Sequence, residues 1–190
     1  MHARHGARLE RRDDWLVAVK YPDEPDNIGN AIVDFAHRPT IEINGPNVGL
    51  RLAEFCGGDI PVRQMRSAAD WHAYRLTAAR AIVFGKLPQP IPDALDVTGG
   101  WVSLVLLGPD AERVLNKVTA VDLRERTLPV GGCCQGPIFG VNTLFGRFAR
   151  RIELHICYDS AEFLWDVLLD AGAEFQLKPA GVDYASRHFV

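Results

Sequence analysis

The stretch Thr40-Ile41-Glu42-Ile43-Asn44-Gly45-Pro46-Asn47-Val48-Gly49-Leu50-Arg51-Leu52-Ala53-Glu54-Phe55 decides the fold once it is laid on Ser103 to Val118. Superimposing Gly45-Pro46-Asn47 on Gly108-Pro109-Asp110 puts Ile41 and Ile43 on Leu104 and Leu106. Leu52 then meets Leu115, Phe55 meets Val118, and Asp59-Ile60 meets Asp122-Leu123. A strand, a turn and a helix recur in phase, and two tandem copies of one unit are the economical explanation.

Each copy reads the same way physically. Thr40 to Asn44 alternates at period two, as a half-buried strand does. Pro46 and Pro109 suit the first helical position, where a missing N–H costs nothing. Val48, Leu52 and Phe55 form one apolar helical stripe that Gly57 can stop; Ala111, Val114, Leu115 and Val118 form the other. A hairpin follows each helix: Trp71–Leu76 with Ala81–Phe84, then Ile138–Phe145 with Arg151–Cys157. In the last strand Ile152, Leu154 and Ile156 alternate with Glu153, His155 and Cys157, which puts one face in the core and the other toward solvent or a partner. Asp159 with Glu162 forms a capping pair for a closing helix over Phe163, Leu164, Val167 and Leu168, and Gly172 stands where a C-cap glycine belongs.

The expected fold class is therefore α+β. Residues 1–14, rich in arginine and poor in apolar side chains, are expected to form a flexible arm. Residues 15–190 form one domain of two repeats, about 31–87 and 94–172, with Pro88, Pro90 and Pro92 at the junction. Trp15 to Val19 reads as a strand and Tyr21 to Asn30 as a loop.

The 190 residues are 47% hydrophobic and 24% charged, enough to bury one sizeable core or two small fused ones. A net charge of −3 gives no field that would draw a nucleic acid or an anionic membrane. No apolar run is long enough to span a bilayer and the N-terminus lacks the apolar centre of a signal peptide, so the expected location is the cytoplasm. Cys56, Cys133, Cys134 and Cys157 match neither a disulfide framework nor zinc spacing.

The recognisable motifs for nucleotide, zinc-protease and serine-hydrolase chemistry are missing. Gly131-Gly132-Cys133-Cys134-Gln135-Gly136 reads as a turn entering a hairpin, because adjacent thiols seldom pair. His37, His72 and His155 are isolated along the chain and could form a metal trio only if the fold gathered them. Arg147, Arg150 and Arg151 make a basic hairpin tip. No catalytic or metal-ligating residue is assigned; Trp101, Cys133, Gln135, Arg147 and Asp159 are candidate interface or ligand contacts.

Leu107-Gly108-Pro109-Asp110-Ala111, Gly131 with Cys133 and Gln135 before a strand, and Ser160 through Ala171 together resemble the gamma subunit of heterotetrameric sarcosine oxidase. That subunit stands within the aminomethyltransferase (glycine cleavage T-protein) folate-binding domain superfamily. Lys178 to Arg187 resembles the loop that closes the folate-binding domain. The resemblance implies tandem ferredoxin-like repeats with antiparallel sheets. It also implies a small subunit without flavin of its own, packed on flavin- and folate-binding subunits that oxidise N-methyl amino acids and pass the one-carbon unit to tetrahydrofolate. Catalytic aminomethyltransferases carry acidic residues in a hairpin where Phe139 to Phe145 has none, so general acid or base work at a pterin lacks its group. The iron-sulfur-assembly branch needs a lysine before Gly132-Cys133 and a Gln-Glu after it, both missing here.

Three functions follow as expectations. The first is a non-catalytic subunit of a sarcosine oxidase-like complex, with no cofactor of its own and flavin-dependent partners. The second is a stand-alone tetrahydrofolate-binding aminomethyltransferase-like protein, whose acidic group would be Asp159 or Glu153 brought in by the fold. The third is a self-associating module using open sheet edges.

Overall fold

The computed structural model describes residues 1–25, 27 and 29–189. Its elements run β1 (Arg8–Arg12), β2 (Trp15–Lys20), β3 (Ala31–Asp34), β4 (Thr40–Asn44), α1 (Val48–Cys56), β5 (Gln64–Ser67), β6 (Trp71–Thr77), β7 (Arg80–Gly85) and β8 (Leu95–Asp96). They continue β9 (Trp101–Leu107), α2 (Ala111–Asn116), β10 (Cys133–Ile138), β11 (Val141–Arg147), β12 (Arg151–Cys157), α3 (Ala161–Gly172), β13 (Lys178–Pro179) and α4 (Val182–His188).

The two copies of the sequence pattern follow one path. One sheet has the order β5-β6-β7-β4-β8 and the other β10-β11-β12-β9-β3-β13, so in each unit the opening strand pairs with the last strand of a meander. All pairings are antiparallel except the short β13 against β3. The α+β class with antiparallel sheets is as the sequence predicts. β3, which opens the stretch expected as the first repeat, pairs instead with β9 of the second unit and so ties the two together.

Side-chain alternation makes four layers. Ile43, Ala73, Ala81 and Val83 point toward α1, while Ile152, Leu154 and Ile156 point toward α2 and α3. The opposite faces meet each other: Tyr74, Leu76, Ile82 and Phe84 pack with Cys133 and Leu144 between the sheets. Backbone hydrogen bonds from Met65 to Gly131 and from Cys133 to Arg63 stitch the sheets at the β5/β10 edge.

Several local expectations need correction. The first 14 residues hold a 3-10 turn at His2–His5 and then β1, paired along its length with β2; His2 seats between Tyr21 and Asp34. Both helices begin two residues after their prolines, at Val48 and Ala111, with Asn47 and Asp110 in the cap position. Gly131–Gly136 is not only a turn, because Cys133 already begins β10 and the second unit is a three-stranded meander. Asp159 and Glu162 make no capping pair: a 3-10 turn over Tyr158–Ser160 leads into α3, whose N-cap Ser160 forms no side-chain cap bond. Gly172 does not end that helix in a left-handed turn; a further 3-10 turn ends instead at Gln176, with φ 55°. Lys178 to Arg187, expected as a loop, forms β13 and most of α4, because Val182, Tyr184 and Ala185 bury one helical face on β2 and β3. Asp26 and Ile28, within the expected loop after β2, lie outside the described residues. No described helix is long and apolar enough to cross a membrane.

Candidate functional site

Glu153 is the one fully buried carboxylate among the described residues, and it lies where the two sheets face each other. The face of β12 left open by the sequence between solvent and a partner is covered by the other unit: Glu153 and His155 are both at 0% exposure, and only Cys157 reaches the surface. A carboxylate cannot stay ionised in such a place unaided. Two guanidiniums meet it. Arg38 Nη1, from the β3–β4 connection, lies 2.9 Å from Oε2, and Arg151 Nε, two residues away on its own strand, lies 2.9 Å from Oε1. Tyr74 Oη donates a long hydrogen bond of 3.5 Å to Oε2.

Two histidines flank the carboxylate without bonding to it. His72 Nε2 and His155 Nε2 are each 3.8 Å away, beyond hydrogen-bond range. His155 Nδ1 instead pairs with Ser103 Oγ at 2.8 Å, and its ring stacks on Phe84 at 3.8 Å. His72 Nδ1 and His155 Nε2 are buried without a hydrogen-bond partner among the described residues.

Burial is the largest single influence on Glu153 and opposes its ionisation, but Arg38, His72, His155 and Arg151 together outweigh it and hold the carboxyl far below the usual range. Burial lowers His72 to about 4 and His155 to about 3, although Glu153 pulls both the other way. At neutral pH the cluster is thus two guanidiniums, one carboxylate and two neutral imidazoles. Glu153 has no proton to give and little tendency to accept one.

A cleft of about 490 Å³ opens beside this cluster. Arg38, Arg151 and His72 line it together with Phe35, Phe84, Phe148 and Phe189, while Asp70 stands on its exposed rim. The fold therefore gathers His37 and His72 at one cleft, with His155 behind them. Among the described residues no group of three side chains is arranged to hold a metal ion, and the guanidiniums occupy the carboxylate that such a site would need.

The five contacts singled out from sequence do not converge. Trp101 is half-buried beside Phe84, with ring centres 6.1 Å apart. Cys133 is buried and Gln135 exposed; both border a smaller cavity of about 170 Å³. Burial pushes the Cys133 thiol up to about 12 and Cys56 up to about 11, and Cys134 also rises, so none of these three is a ready thiolate. Arg147 is drawn to Glu112 at 2.6 Å and to the Leu123 carbonyl, at a separate cavity of about 380 Å³. Asp159 is exposed and accepts a hydrogen bond from its neighbour Ser160. Of the two acidic residues weighed for a central cavity, Glu153 is the one the fold brings inside.

Two sheets packed face to face, with helices outside and one neutralised carboxylate between them, define a class of paired β-α-β-β-β domains. Within that class the chain belongs to the GCVT N-terminal domain family, whose model matches residues 72–187. It is 25% identical to an aminomethyltransferase of Desulforamulus reducens and 22% identical to one of Porphyromonas gingivalis, in each case over 96% of this chain. It spans about three fifths of the length of those curated relatives, 59% and 60%. Its fold is similar to aminomethyltransferase T of the glycine cleavage system from Bartonella henselae, with a TM-score of 0.72 and 17% identity over 96% of this chain and 58% of that one. It is also similar to a chain of heterotetrameric sarcosine oxidase from Corynebacterium sp. U-96, solved with pyrrole 2-carboxylate. There the TM-score is 0.67 at 18% identity, over 76% of this chain and 84% of that one. The domain is accordingly aminomethyltransferase-like.

Proposed function

We propose that this chain is a non-catalytic, gamma-type subunit of a sarcosine oxidase-like complex that oxidises N-methyl amino acids in tetrahydrofolate-linked one-carbon metabolism. The observation that carries the proposal is the state of Glu153. The only carboxylate buried between the sheets, among the described residues, has both oxygens in ion pairs with Arg38 and Arg151 and is held ionised. General acid–base work needs a group whose pKa lies near the working pH. Neither Glu153 nor the carboxylate-free turn after β10 offers one. The likeness of this fold to a chain of heterotetrameric sarcosine oxidase, at a TM-score of 0.67, supports the same reading. The stand-alone tetrahydrofolate-binding alternative needs an acidic group free to act, and Glu153 is not free.

The test is purification of the tagged chain from its native host. A stable heteromer with flavin absorbance that oxidises sarcosine is the expected result. A colourless chain that elutes alone, and that binds 5-formyltetrahydrofolate saturably in calorimetry, would overturn the subunit assignment in favour of the one-carbon enzyme.

A further inference from the structure

We propose that the cleft beside Glu153 is a binding site for a small planar organic carboxylate, held by the edges of Arg38 and Arg151 between phenylalanine rings. The site lies within this chain and does not depend on the subunit assignment. Three observations carry it.

Charge is the first. Arg38 and Arg151 have side chains only 12% and 10% exposed, against a single buried carboxylate. Glu153 uses Nη1 of one and Nε of the other. The remaining guanidinium nitrogens have no acceptor among the described residues, and both residues line the cleft. Asp70 is on the water-exposed rim, where its charge is screened. One excess positive charge thus faces the cleft from guanidiniums that are largely buried, where an anion gains more than it would from fully exposed ones.

Orientation is the second. The Arg38 guanidinium lies over the Phe35 ring at 4.1 Å. That of Arg151 lies 3.8 Å from the Phe148 ring centre and 4.1 Å from that of Phe189. A guanidinium with a ring packed against it is turned to offer its edge, and the edge is the part that matches a carboxylate fork. His72 adds a third polar group: it is buried, it lines the cleft, and its Nδ1 has no partner among the described residues.

Shape is the third. A cleft of about 490 Å³ is within the ordinary range for small-molecule sites. Its phenylalanine walls would strand the outer oxygens of a phosphate or sulfate, but they suit the flat apolar body of an aromatic carboxylate.

The test is calorimetric titration of the full-length chain with benzoate, with inorganic phosphate as the control anion. Saturable one-to-one binding of benzoate, with phosphate much weaker, is expected. Arg151→Gln should weaken it about tenfold or more, the loss that follows removal of a charge-assisted hydrogen bond. Phe189→Ala should also weaken it, and this variant leaves the Glu153 ion pairs in place should Arg151→Gln fail to fold. Glu153→Gln should act in the opposite direction and tighten binding, because it frees both guanidiniums; a purely structural cluster would show no such reversal. No benzoate heat with the folded chain, phosphate binding as well as benzoate, or Glu153→Gln weakening the complex would each overturn the proposal. A chain that binds benzoate but carries no flavoprotein would sink the subunit assignment and leave this site standing, and the reverse pair of results would do the opposite.

Discussion

Arg38 Nη1 stands 2.9 Å from Glu153 Oε2 across the space between the two sheets, although 115 residues separate them in the chain. Arg38 lies in the connection between β3, in the sheet of β12, and β4, in the other sheet, so the ion pair anchors the chain where it passes from one sheet to the other. A fully buried carboxylate depends on such a partner.

The first prediction concerns this pair. Arg38→Met should cost about 3 kcal/mol of stability, the usual scale for removing one partner of a buried ion pair. Glu153→Gln alone should cost less, since the guanidiniums it releases reach the cleft. In a double-mutant cycle read from urea unfolding, the two substitutions together should cost well below their sum. Additivity within about 0.5 kcal/mol would mean that the residues do not communicate.

The pH dependence has a definite sign. His72 and His155 have folded values of about 4 and about 3, below the ordinary histidine value of 6.5. Below that ordinary value the unfolded chain takes up protons that the folded chain refuses, so stability falls with pH. Each histidine contributes about 1.4 kcal/mol per pH unit until its folded value is reached. His37, lowered first by burial and then by Arg38, acts in the same sense. Glu153, whose folded pKa is depressed, adds stability above its unfolded value that is lost only as pH falls further. Urea midpoints should therefore begin to drop below pH 6.5, before ordinary carboxylates titrate. His155→Gln should flatten the slope; an unchanged slope would show that this imidazole is not buried neutral.

Much of this arrangement was legible in the sequence, and its centre was not. The Gly45-Pro46 and Gly108-Pro109 repeat located both units because strand and helix periodicity are local. Period-two alternation also put Glu153 and His155 on one face of one strand. It could not say what covered that face, because the cover is β6 and β7 of the other unit, and sheet-to-sheet packing leaves no spacing signal. Arg38, in a connection between strands, carried no pattern at all. The helix ends were misplaced where Pro46, Asp159 and Gly172 had usable cap chemistry that tertiary contacts overrode, as Leu177 does by packing against Gly172. Gln135 and Asp159 stood out by resemblance and composition, which do not report convergence in space.

Gly146 and Tyr74 set the spacing of the sheets. A Cβ added to Gly146 on β11 would come within 2.5 Å of the Tyr74 ring, which is wholly buried on β6. Gly146→Ala should therefore destabilise the protein by about 1–3 kcal/mol through overpacking. The double variant with Tyr74→Leu, which shortens the opposing side chain, should recover part of the loss. Thermal unfolding of the four proteins checks this, and an Ala variant as stable as the parent would show that the sheets can separate freely.

The chain start contributes to the core instead of trailing from it. His2 Nδ1 pairs with Tyr21 Oη at 2.6 Å, His2 Nε2 pairs with Asp34 Oδ2 at 2.8 Å, and the imidazole meets the buried Trp165 ring edge-on at 5.3 Å. Tyr21 is itself buried, and the hydrogen bond that Asp34 Oδ1 accepts from the Ala36 backbone N–H fixes the carboxylate that holds His2. His2→Phe keeps the ring and removes both hydrogen bonds, leaving buried Tyr21 without its partner, so it should cost about 2 kcal/mol. Deleting residues 1–7 should cost more and also expose Trp165, seen as a red shift of tryptophan emission in the native protein. If the deletion left emission and urea midpoint unchanged, the packed start would be dispensable, and the arm expected from its arginine-rich composition would be the better description of these residues.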